Sequence, residues 1–530
     1  MTGPNGPSAT VRPYDPVALA AAFDRALGDP ADESRAFSAT RVLALDRDEA
    51  FPEEITAELN ELGLAAHYVP EEYGGTLRSY EDLLQIVRRV AARDLTTAIG
   101  HAASYLGSVC TWVAGTAEQA RLTAKEVMAG TVHSFGLTER DHGSDVLSGE
   151  LTAAATPGRY RLDGEKWLIN NATRGSRLCI LARTDAAGGS RGFSLFTVDK
   201  RELPEDTYRT LPAVRTHGIR GTDISGIEFR GAVVPAGTMI GAPGQGAEIV
   251  LKSLQLTRTL CAALSLGSAD HALRLAVRHG AGDRLVLAEA YADQLTVEAV
   301  SVVAARSLHT LPGELGVVSA VVKHFVPTTV DAVIERLGAV LGPEAYTADG
   351  PFQKVARDHR IVGIFDGNTV VNLLALVNQF PMLVRGARRA THDEAGLMAA
   401  TAPGVLPPVF DRERLSLISL GGCSITQAPL TDEVPYADEL RAISDELHAE
   451  MAAVRPSARD TRPETFDLAE RYTLLFAAMA CAHLWTRHYD ERVDARWGKV
   501  CLARLLTRLG HPVPSLRPEE LPLPDREELR

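Results

Sequence analysis

The chain has 530 residues, of which 55 are basic and 68 acidic, giving a formal net charge of −13. This balance argues against nucleic acid as a partner, because no basic surface is available to neutralise phosphates. The longest apolar runs are far shorter than the ~18 residues of a membrane span, and the N-terminus lacks the apolar core of a secretory signal. We therefore expect a cytoplasmic protein with no membrane span. Six cysteines without Cys-x-x-Cys spacing predict reduced thiols and no metal site.

The first part of the chain is predicted to be helical. Residues 1–15 are rich in Gly, Pro and Ser, a composition typical of a disordered terminus. Over residues 16–130 the apolar residues follow a helical period, as in the stripe formed by Leu83, Ile86 and Val87. We expect an N-terminal helical domain at 16–130.

The pattern of apolar residues changes near residue 131. From 131 to 242, short apolar or alternating runs are separated by turn residues such as Pro157-Gly158, a pattern that predicts a middle β domain. Long helical periods return over 243–388. Two further amphipathic periods predict that 389–530 is a helical extension packed on the core. The predicted fold class is therefore α+β: helical, β, helical, helical.

The segment at residues 135–145 carries the most chemical information. It reads Phe-Gly-Leu-Thr-Glu-Arg-Asp-His-Gly-Ser-Asp, an apolar strand end that runs into a turn of small polar residues. Such a loop presents backbone N–H groups and hydroxyls to an anion or a polar ring. Taken alone, the pattern is more often a plain turn.

Further motifs follow this loop in a fixed order. They are Gly-Glu-Lys-Trp-Leu-Ile-Asn-Asn-Ala at 164–172, Gly-Ile-Arg-Gly-Thr at 218–222, Val-Val-Pro at 233–235, and Arg-Asp at 357–358 ahead of Ile-Phe-Asp-Gly-Asn-Thr at 364–369. The ordered set resembles the acyl-CoA dehydrogenase family, and the resemblance covers about residues 40–385.

The resemblance implies an FAD flavoprotein whose third domain, 243–388, is a four-helix bundle. Members of the family remove the α and β hydrogens of an acyl thioester, pass the electrons to an electron-accepting flavoprotein or to oxygen, and usually form homodimers or homotetramers. We therefore expect FAD-dependent dehydrogenation of an acyl thioester. The divergent motifs and the extension favour specialised metabolism, in which the acyl group sits on CoA or on an acyl carrier protein.

By carry-over from the family's motifs, the loop and one strand are expected to hold the cofactor. Thr138 is expected at the edge of the flavin ring, and Ser144 near the FAD phosphates and the thioester arm. Trp167 stands one place before the position where the family often has Trp, so flavin stacking and core packing both stay open for it. The full expected set is Phe135, Leu137, Thr138, Gly143, Ser144, Leu168, Ile169, Asn170 and Asn368.

The catalytic base is predicted to be Asp366, at the position where the family usually has Glu. Removal of an α-proton needs a positioned carboxylate and hydrogen-bond donors on the thioester oxygen. The alternative for Asp366 is a capping role on the helix that begins near Thr369. Ser144, Arg258 and Gly367 are the expected substrate contacts, although a solvated helix face is the common use of a residue such as Arg258.

Two parts of the family pattern are missing from this chain. The family's Arg-x-x-Phe-Gly is absent, and either Arg278 or Arg284 is left to reach the FAD of a neighbouring subunit. The Gln-x-x-Gly-Gly-x-Gly-Tyr element is degraded over 339–346. Two alternatives to the dehydrogenase therefore stay open: a flavin oxidase of another weak carbon acid, as in nitroalkane oxidases, and a non-catalytic acyl-binding or assembly partner.

Overall fold

The computed structural model of the chain describes residues 14–279, 284–456, 461–487 and 496–514. Its first part contains six α-helices, and four of them have a side-chain cap at the start: Asp15 accepts an N–H of the first helix, Ser79 one of the fourth and Asp94 one of the fifth, while Thr116 forms a capping box with Gln119 on the sixth. The helices are α1 (Pro16–Ala26), α2 (Ala39–Arg47), α3 (Glu53–Glu61), α4 (Tyr80–Ala91), α5 (Leu95–Ala114) and α6 (Ala117–Met128).

The prediction of a disordered terminus at 1–15 needs a correction at its end. Residues 1–13 lie outside the described residues. Tyr14, however, is buried, and its hydroxyl lies 2.7 Å from the hydroxyl of Ser79, while Asp15 caps α1. Residues 14 and 15 therefore belong to the folded domain.

The middle of the chain forms one twisted sheet with the strand order β6-β7-β3-β2-β4-β5-β8 and β1 paired in parallel with β4. The longest strands, β3 and β7, pair antiparallel and carry one side of the sheet core. The strands are β1 (His133–Gly136), β2 (Thr152–Thr156), β3 (Arg159–Asn170), β4 (Arg177–Arg183), β5 (Phe193–Asp199), β6 (Tyr208–Leu211), β7 (Ile224–Pro235) and β8 (Met239–Ile240).

A helical domain follows the sheet and packs against both earlier parts. Its helices are α7 (Gly246–His279), α8 (Arg284–Thr310), α9 (Leu315–Leu341), α10 (Pro351–Val362), α11 (Thr369–Val377) and α12 (Phe380–Arg389). The long helices α7, α8 and α9 pack on one another, and α7 also packs on α4 and α5 of the first domain. Helix α7 is thus shared by two hydrophobic interfaces.

By length and composition, two stretches of this domain are apolar enough to cross a membrane. They are α7 and the segment Pro312–Tyr346 that contains α9; the bent pair α11–α12 reaches the same criterion only if it is taken as one span. In each of the two stretches, 83% of the apolar window is buried inside the fold. The hydrophobic core therefore accounts for their composition.

A buried ionic network fastens the three domains together. Lys354 Nζ lies 2.5 Å from both Asp94 and Asp358, so α10 is tied to the start of α5. Asp358 also accepts the backbone N–H of Ile219 at 2.6 Å, in the segment before β7. The predicted Arg-Asp motif thus connects the domains through Asp358, which is fully buried.

The last part of the chain is a mostly helical block, as predicted. The helices are α13 (Glu394–Ala400), α14 (Ser424–Gln427), α15 (Ala437–Ala453), α16 (Pro463–Trp485) and α17 (Trp497–Arg508). Helix α16 packs on α8, α9 and α11. The irregular connecting segment 401–423 is fastened to the core by Arg306, which donates to the carbonyls of Ala399 and Val405 and pairs with Glu81.

Candidate active site

One cavity of about 680 Å³ lies where the three domains meet. Its wall is built from the loop after β1, the end of β3, the segment before β7, helix α7, the turn between α10 and α11, and parts of α4 and α5. All but one of the residues expected to hold cofactor or substrate line it: Phe135, Leu137, Thr138, Gly143, Ser144, Leu168, Ile169, Asn170, Arg258, Asp366 and Gly367. The exception among the described residues is Asn368.

The loop after β1 is pinned to β3 by two hydrogen bonds. The Thr138 hydroxyl donates to the Trp167 carbonyl at 2.6 Å, and the Trp167 N–H donates to the Thr138 carbonyl at 3.0 Å. The hydroxyl proton of Thr138 is therefore engaged in the protein. Its oxygen remains available to accept a hydrogen bond from a molecule in the cavity.

A buried ion pair fixes the same loop from behind. Glu139 lies 2.7 Å from the ammonium of Lys166, and its carboxylate also accepts the N–H groups of Glu150 and Leu151. Burial opposes ionisation of Glu139, but Lys166 and the two N–H groups outweigh it and hold the pKa of Glu139 below its usual value. The ends of the loop are therefore fixed, while Gly143 at its tip has open space on its side-chain face.

A β-bulge in β3 brings two consecutive side chains to the cavity. In a regular strand Trp167 and Leu168 would face opposite sides of the sheet. Here the register against β7 shifts at Leu168, whose φ is 58°, and both side chains line the cavity. Trp167 is half-buried, with the Arg140 guanidinium 4.6 Å from its ring centre, so it is not a fully buried core residue.

Asn170, at the end of β3, carries an unsatisfied polar atom. Its side-chain N–H₂ donates to the carbonyl of Ile99 at 3.0 Å. Its Oδ1 is buried and has no hydrogen-bond partner among the described residues. An orphaned buried acceptor is costly, so Asn170 is suited to a ligand that donates a hydrogen bond.

Asp366 lies in a left-handed turn on the cavity wall. Its φ is 52°, and its carbonyl accepts Arg258 Nε at 2.8 Å. The N–H of Asp366 makes no hydrogen bond to any residue that the structure describes. Arg258 is half-buried on α7, lines the cavity and has its pKa lowered by burial, so the alternative of a fully solvated helix face is wrong.

The capping alternative for Asp366 is also wrong, because Asn368 performs that role. The Asn368 side chain accepts the N–H of Val371 at 3.0 Å, and Asn368 is the N-cap of α11. Asn368 does not line the cavity, so its expected cofactor contact stays a prediction. The Asp366 carboxylate is left free of a capping duty.

Two residues around this turn were not predicted from the sequence, Cys261 and Lys323. Cys261 Sγ lies 3.8 Å from Asp366 Oδ2. Lys323 is fully buried in α9, donates to the Val362 carbonyl at 2.6 Å, and lies over the Phe365 ring. Cys261 was detectable, because it follows Arg258 by three residues and so shares its helix face. No local pattern indicated Lys323.

Backbone strain is concentrated at the cavity. Seven non-glycine residues of the described ranges have positive φ, and three of them line the cavity: Leu168, Ile219 and Asp366. Ile219, with φ 51°, is β-branched, for which this conformation is a true outlier. Its hydrogen bond to Asp358 holds it in place. Strain of this kind persists where the surrounding structure over-determines it, often at functional sites.

The part of the wall made by α4 and α5 is almost wholly apolar. None of its lining residues is charged; they include Leu83, Val87, Ala102 and Leu106. Tyr68 and Tyr105 supply the nearby hydroxyls.

The hydroxyl of Tyr68 is itself engaged by a neighbouring histidine. It lies 2.8 Å from Nδ1 of His101. Burial lowers the pKa of His101 to about 4, so the ring is neutral, and Nδ1 accepts the proton of Tyr68 while Nε2 donates to Asn60. This end of the cavity is therefore suited to an uncharged, apolar group.

Comparison with known proteins gives consecutive matches along the chain. Family models of acyl-CoA dehydrogenase match as the N-terminal domain over residues 31–131, the middle domain over 134–232 and the C-terminal domain over 244–379. A probable acyl-CoA dehydrogenase of Mycobacterium tuberculosis is 29% identical over 346 residues, which is 63% of this chain and 88% of that protein. Cyclohex-1-ene-1-carbonyl-CoA dehydrogenase of Geobacter metallireducens is 29% identical over 349 residues, covering 63% and 91%.

A solved structure resembles this chain over more of its length. The crystal structure of an acyl-CoA dehydrogenase from Bacillus anthracis, complexed with FAD, superposes with a TM-score of 0.72 at 18% identity and covers 95% of this chain and 88% of that one. This likeness extends the similarity of fold into the C-terminal block, beyond the part matched by the curated relatives.

The residues on the loop and β3 side of the cavity fit a flavin ring. A side-chain carbon on Gly143 would meet no atom within 4 Å, so the loop leaves room beside its backbone. Asn170 Oδ1 and the Thr138 hydroxyl oxygen can each accept a hydrogen bond, and an oxidised flavin ring has one such donor, its N3–H, and gains others on reduction. Leu168, 45% exposed, presents an apolar surface to a flat ring.

Proposed function

Because the chain belongs to the acyl-CoA dehydrogenase family, in which FAD is the cofactor, we propose that it converts an acyl thioester to the α,β-unsaturated thioester. One observation carries this proposal. Asp366 lines a cavity that is otherwise mostly apolar, and it carries both a carboxylate and a backbone N–H that has no hydrogen-bond partner among the described residues. They are the base and the donor that the reaction needs.

The chemistry begins with a weakly acidic C–H bond. Asp366 takes the α-proton, and its own N–H donates to the thioester oxygen, on which negative charge develops. FAD, when bound, accepts the hydride from the β-carbon. Arg258 holds the Asp366 carbonyl at 2.8 Å and thereby orients both the N–H and the carboxylate of the turn.

We assign the cofactor to the loop and strand that face this turn. Thr138 and Asn170 supply acceptors for the ring, Leu168 and Ile169 supply an apolar face, and the open space at Gly143 admits the rest of the molecule. Phe135, Leu137 and Ser144 complete this side of the wall. The separation of these residues from Asp366 by the cavity is what lets a substrate lie between base and cofactor.

The substrate is proposed to be an acyl-CoA whose acyl part is uncharged and apolar. The wall of α4 and α5 supports this choice because its described lining contains no ionisable partner for a carboxylate or an amine other than tyrosine. The names of the two curated relatives given above support CoA as the carrier. A homodimer or homotetramer in the cytoplasm, with a flavoprotein or oxygen as electron acceptor, completes the proposal.

The test is the visible spectrum of the purified protein during anaerobic mixing with acyl thioesters. We expect a yellow protein that bleaches with an uncharged acyl-CoA, and bleaching at least about 10²-fold slower in Asp366→Asn, because general-base catalysis contributes that much or more. Asp349→Asn is the matched control, since it makes the same substitution at an exposed aspartate that does not line the cavity.

The other outcomes of this experiment would each contradict or change the proposal. If Asp366→Asn bleaches at the parental rate, Asp366 is not the base and the proposal fails. Bleaching by acyl groups on a carrier protein, but not on CoA, corrects the substrate. If only nitroalkanes bleach the flavin, the reaction is nitroalkane oxidation and not thioester dehydrogenation. Nitroalkanes are included because this chain has Asp where the family usually has Glu. A colourless protein that cannot take up FAD supports a binding role.

A further inference from the structure

We infer that Cys261 is a positioning residue for Asp366: its thiol donates a hydrogen bond to Oδ2, which leaves Oδ1 as the oxygen that takes the substrate's proton. The inference rests on the proposed function, because it needs Asp366 to be the base. It adds that the two carboxylate oxygens have different roles: Oδ2 accepts the hydrogen bond and Oδ1 accepts the proton. The shorter side chain of an aspartate makes such a division important, since its carboxylate has fewer ways to reach a substrate.

Helix α7 holds Asp366 at two points. Arg258 donates from Nε to the Asp366 carbonyl at 2.8 Å, which fixes the peptide. Cys261, three residues later on the same helix face, brings Sγ to 3.8 Å from Oδ2, within the range for a hydrogen bond to sulfur. One face of one helix therefore sets both the backbone and the side chain of the turn.

The thiol is suited to donate rather than to react. Cys261 is buried, with 6% of its surface exposed, and it lines the same cavity as Asp366. Burial and the nearby Asp366 charge raise the pKa of the thiol well above its usual value. It therefore stays protonated at any working pH, and a buried neutral thiol is a poor nucleophile.

The titratable groups that face Asp366 come from two helices. Arg258 and Cys261 belong to α7, and Lys323 belongs to α9. Lys323 is already engaged with the Val362 carbonyl at 2.6 Å, and Arg258 with the Asp366 carbonyl. Cys261 is thus the only side chain of the described residues with a hydrogen bond to the Asp366 carboxylate.

The first test compares the pH dependence of thioester-driven flavin bleaching in five proteins. They are the parent, Cys261→Ser, Cys261→Ala and Cys261→Val, with Cys481→Ala as the control for a buried cysteine far from the cavity. A donor stabilises the ionised carboxylate, so its loss should move the acid limb of the profile to higher pH. We expect a shift of about half a pH unit, roughly threefold in rate on that limb, in Ala and Val.

The serine variant separates hydrogen bonding from packing. Cys261→Ser keeps a hydrogen-bond donor, so the acid limb of its pH profile should stay at the parental pH or move to lower pH. Cys261→Val keeps the bulk but not the donor, so it should behave like Cys261→Ala. The inference is wrong if all three variants keep the acid limb of the parental pH profile. It is also wrong if Cys261→Val behaves like the parent and Cys261→Ser does not, because the thiol then only fills space.

A second measurement does not depend on activity. The S–H stretching band of Cys261, isolated by the infrared difference between the parent and Cys261→Ser, should move when Asp366→Asn removes the charged acceptor. An unmoved band would overturn the hydrogen bond. Failure of the proposed function would look different: Asp366→Asn would then bleach at the parental rate, whatever the band does.

Discussion

Asp366 is the residue on which the proposed reaction depends. An aspartate is shorter than a glutamate by one C–C bond, about 1.5 Å. The left-handed conformation of the turn and the two contacts from α7 are what bring this carboxylate to the wall of the cavity. Arg258 thus holds the turn at its main chain and Cys261 holds it at its carboxylate.

A first prediction follows for Asp366→Glu. The longer side chain keeps a carboxylate on the same turn, so we expect thioester-driven bleaching within about tenfold of the parent, against a loss of about 10²-fold for Asp366→Asn. Stopped-flow absorbance of the flavin measures both. If Glu is as slow as Asn, the geometry set by Cys261 and Arg258 does not tolerate a longer base.

A second prediction concerns Gly143, at the tip of the loop. The space beside it is empty and its φ is not in the left-handed region, so Gly143→Val should leave the melting temperature of the apoprotein unchanged. We expect FAD occupancy after purification to fall severalfold, because the new side chain takes the cofactor's place. Gly237→Val is the matched control: its side-chain space is also empty, and it does not line the cavity. Equal FAD content in both variants would remove the loop from the cofactor site.

Elements were easier to predict than the contacts between them. The stripe through Leu83, Ile86 and Val87 and the turn-separated runs after residue 131 gave the helices and the sheet, because these signals repeat locally. The placement of Trp167 was left open since it depends on a bulge at Leu168, which only the register against β7 reveals.

The candidate site was foreseen in part, and the division has a physical cause. Asp366 and the loop residues stand in contiguous motifs, whereas Lys323 comes from a helix whose apolar pattern gives no sign of its contact with Phe365. Ile219 needed Asp358, 139 residues away, to hold its strained backbone. Long-range contacts of this kind are set by packing and not by local spacing.

A third prediction belongs to the junction between α9 and α14. Glu314, just before α9, accepts the N–H and the hydroxyl of Ser424, and burial raises the pKa of Glu314 to about 7. A carboxyl that is protonated in the folded state but ionised in the unfolded chain contributes stability at low pH, and loses it as pH rises through the folded pKa.

The free energy of unfolding should therefore fall between about pH 4.5 and pH 7 because of this one group, by up to about 3 kcal/mol. Glu314→Gln should remove that slope, so that parent and variant differ more at pH 8 than at pH 5. Chemical unfolding at the two values measures it. If the free energy of unfolding depends on pH in the same way in both proteins, Glu314 is not the cause of the pH dependence.

At the scale of the whole molecule, the C-terminal block is part of the core and not an appendage. The buried Arg306 reaches from α8 to Glu81 in α4 and to two carbonyls of the block, while Gln255 and Gln379 hold the connecting segment at Ser416 and Leu417. The block is therefore joined to both helical domains.

A fourth prediction follows for limited proteolysis. A cut within 401–423 should leave the two pieces associated in gel filtration, because their contacts are buried. Arg306→Met leaves Glu81 as a buried charge without its partner and should lower stability by about 3–5 kcal/mol and release the C-terminal piece on cutting. Arg471→Met, on the surface of α16, is the control. Prompt loss of the piece from the parent, with unchanged activity, would contradict this view.

The tie between Lys354 and Asp94 has a consequence for synthesis on the ribosome. The two residues are 260 positions apart in the chain. At a synthesis rate of about 5–20 residues per second, roughly 13–50 seconds pass between the synthesis of Asp94 and that of its partner Lys354. Until residue 279 is made the first domain lacks α7, and until residue 362 it lacks α10, so the apolar faces of α4 and α5 stay uncovered for much of this interval. Chaperone dependence of the nascent chain should thus be greatest before residue 360 emerges, and a ribosome-profiling arrest series across this point would show when protection begins.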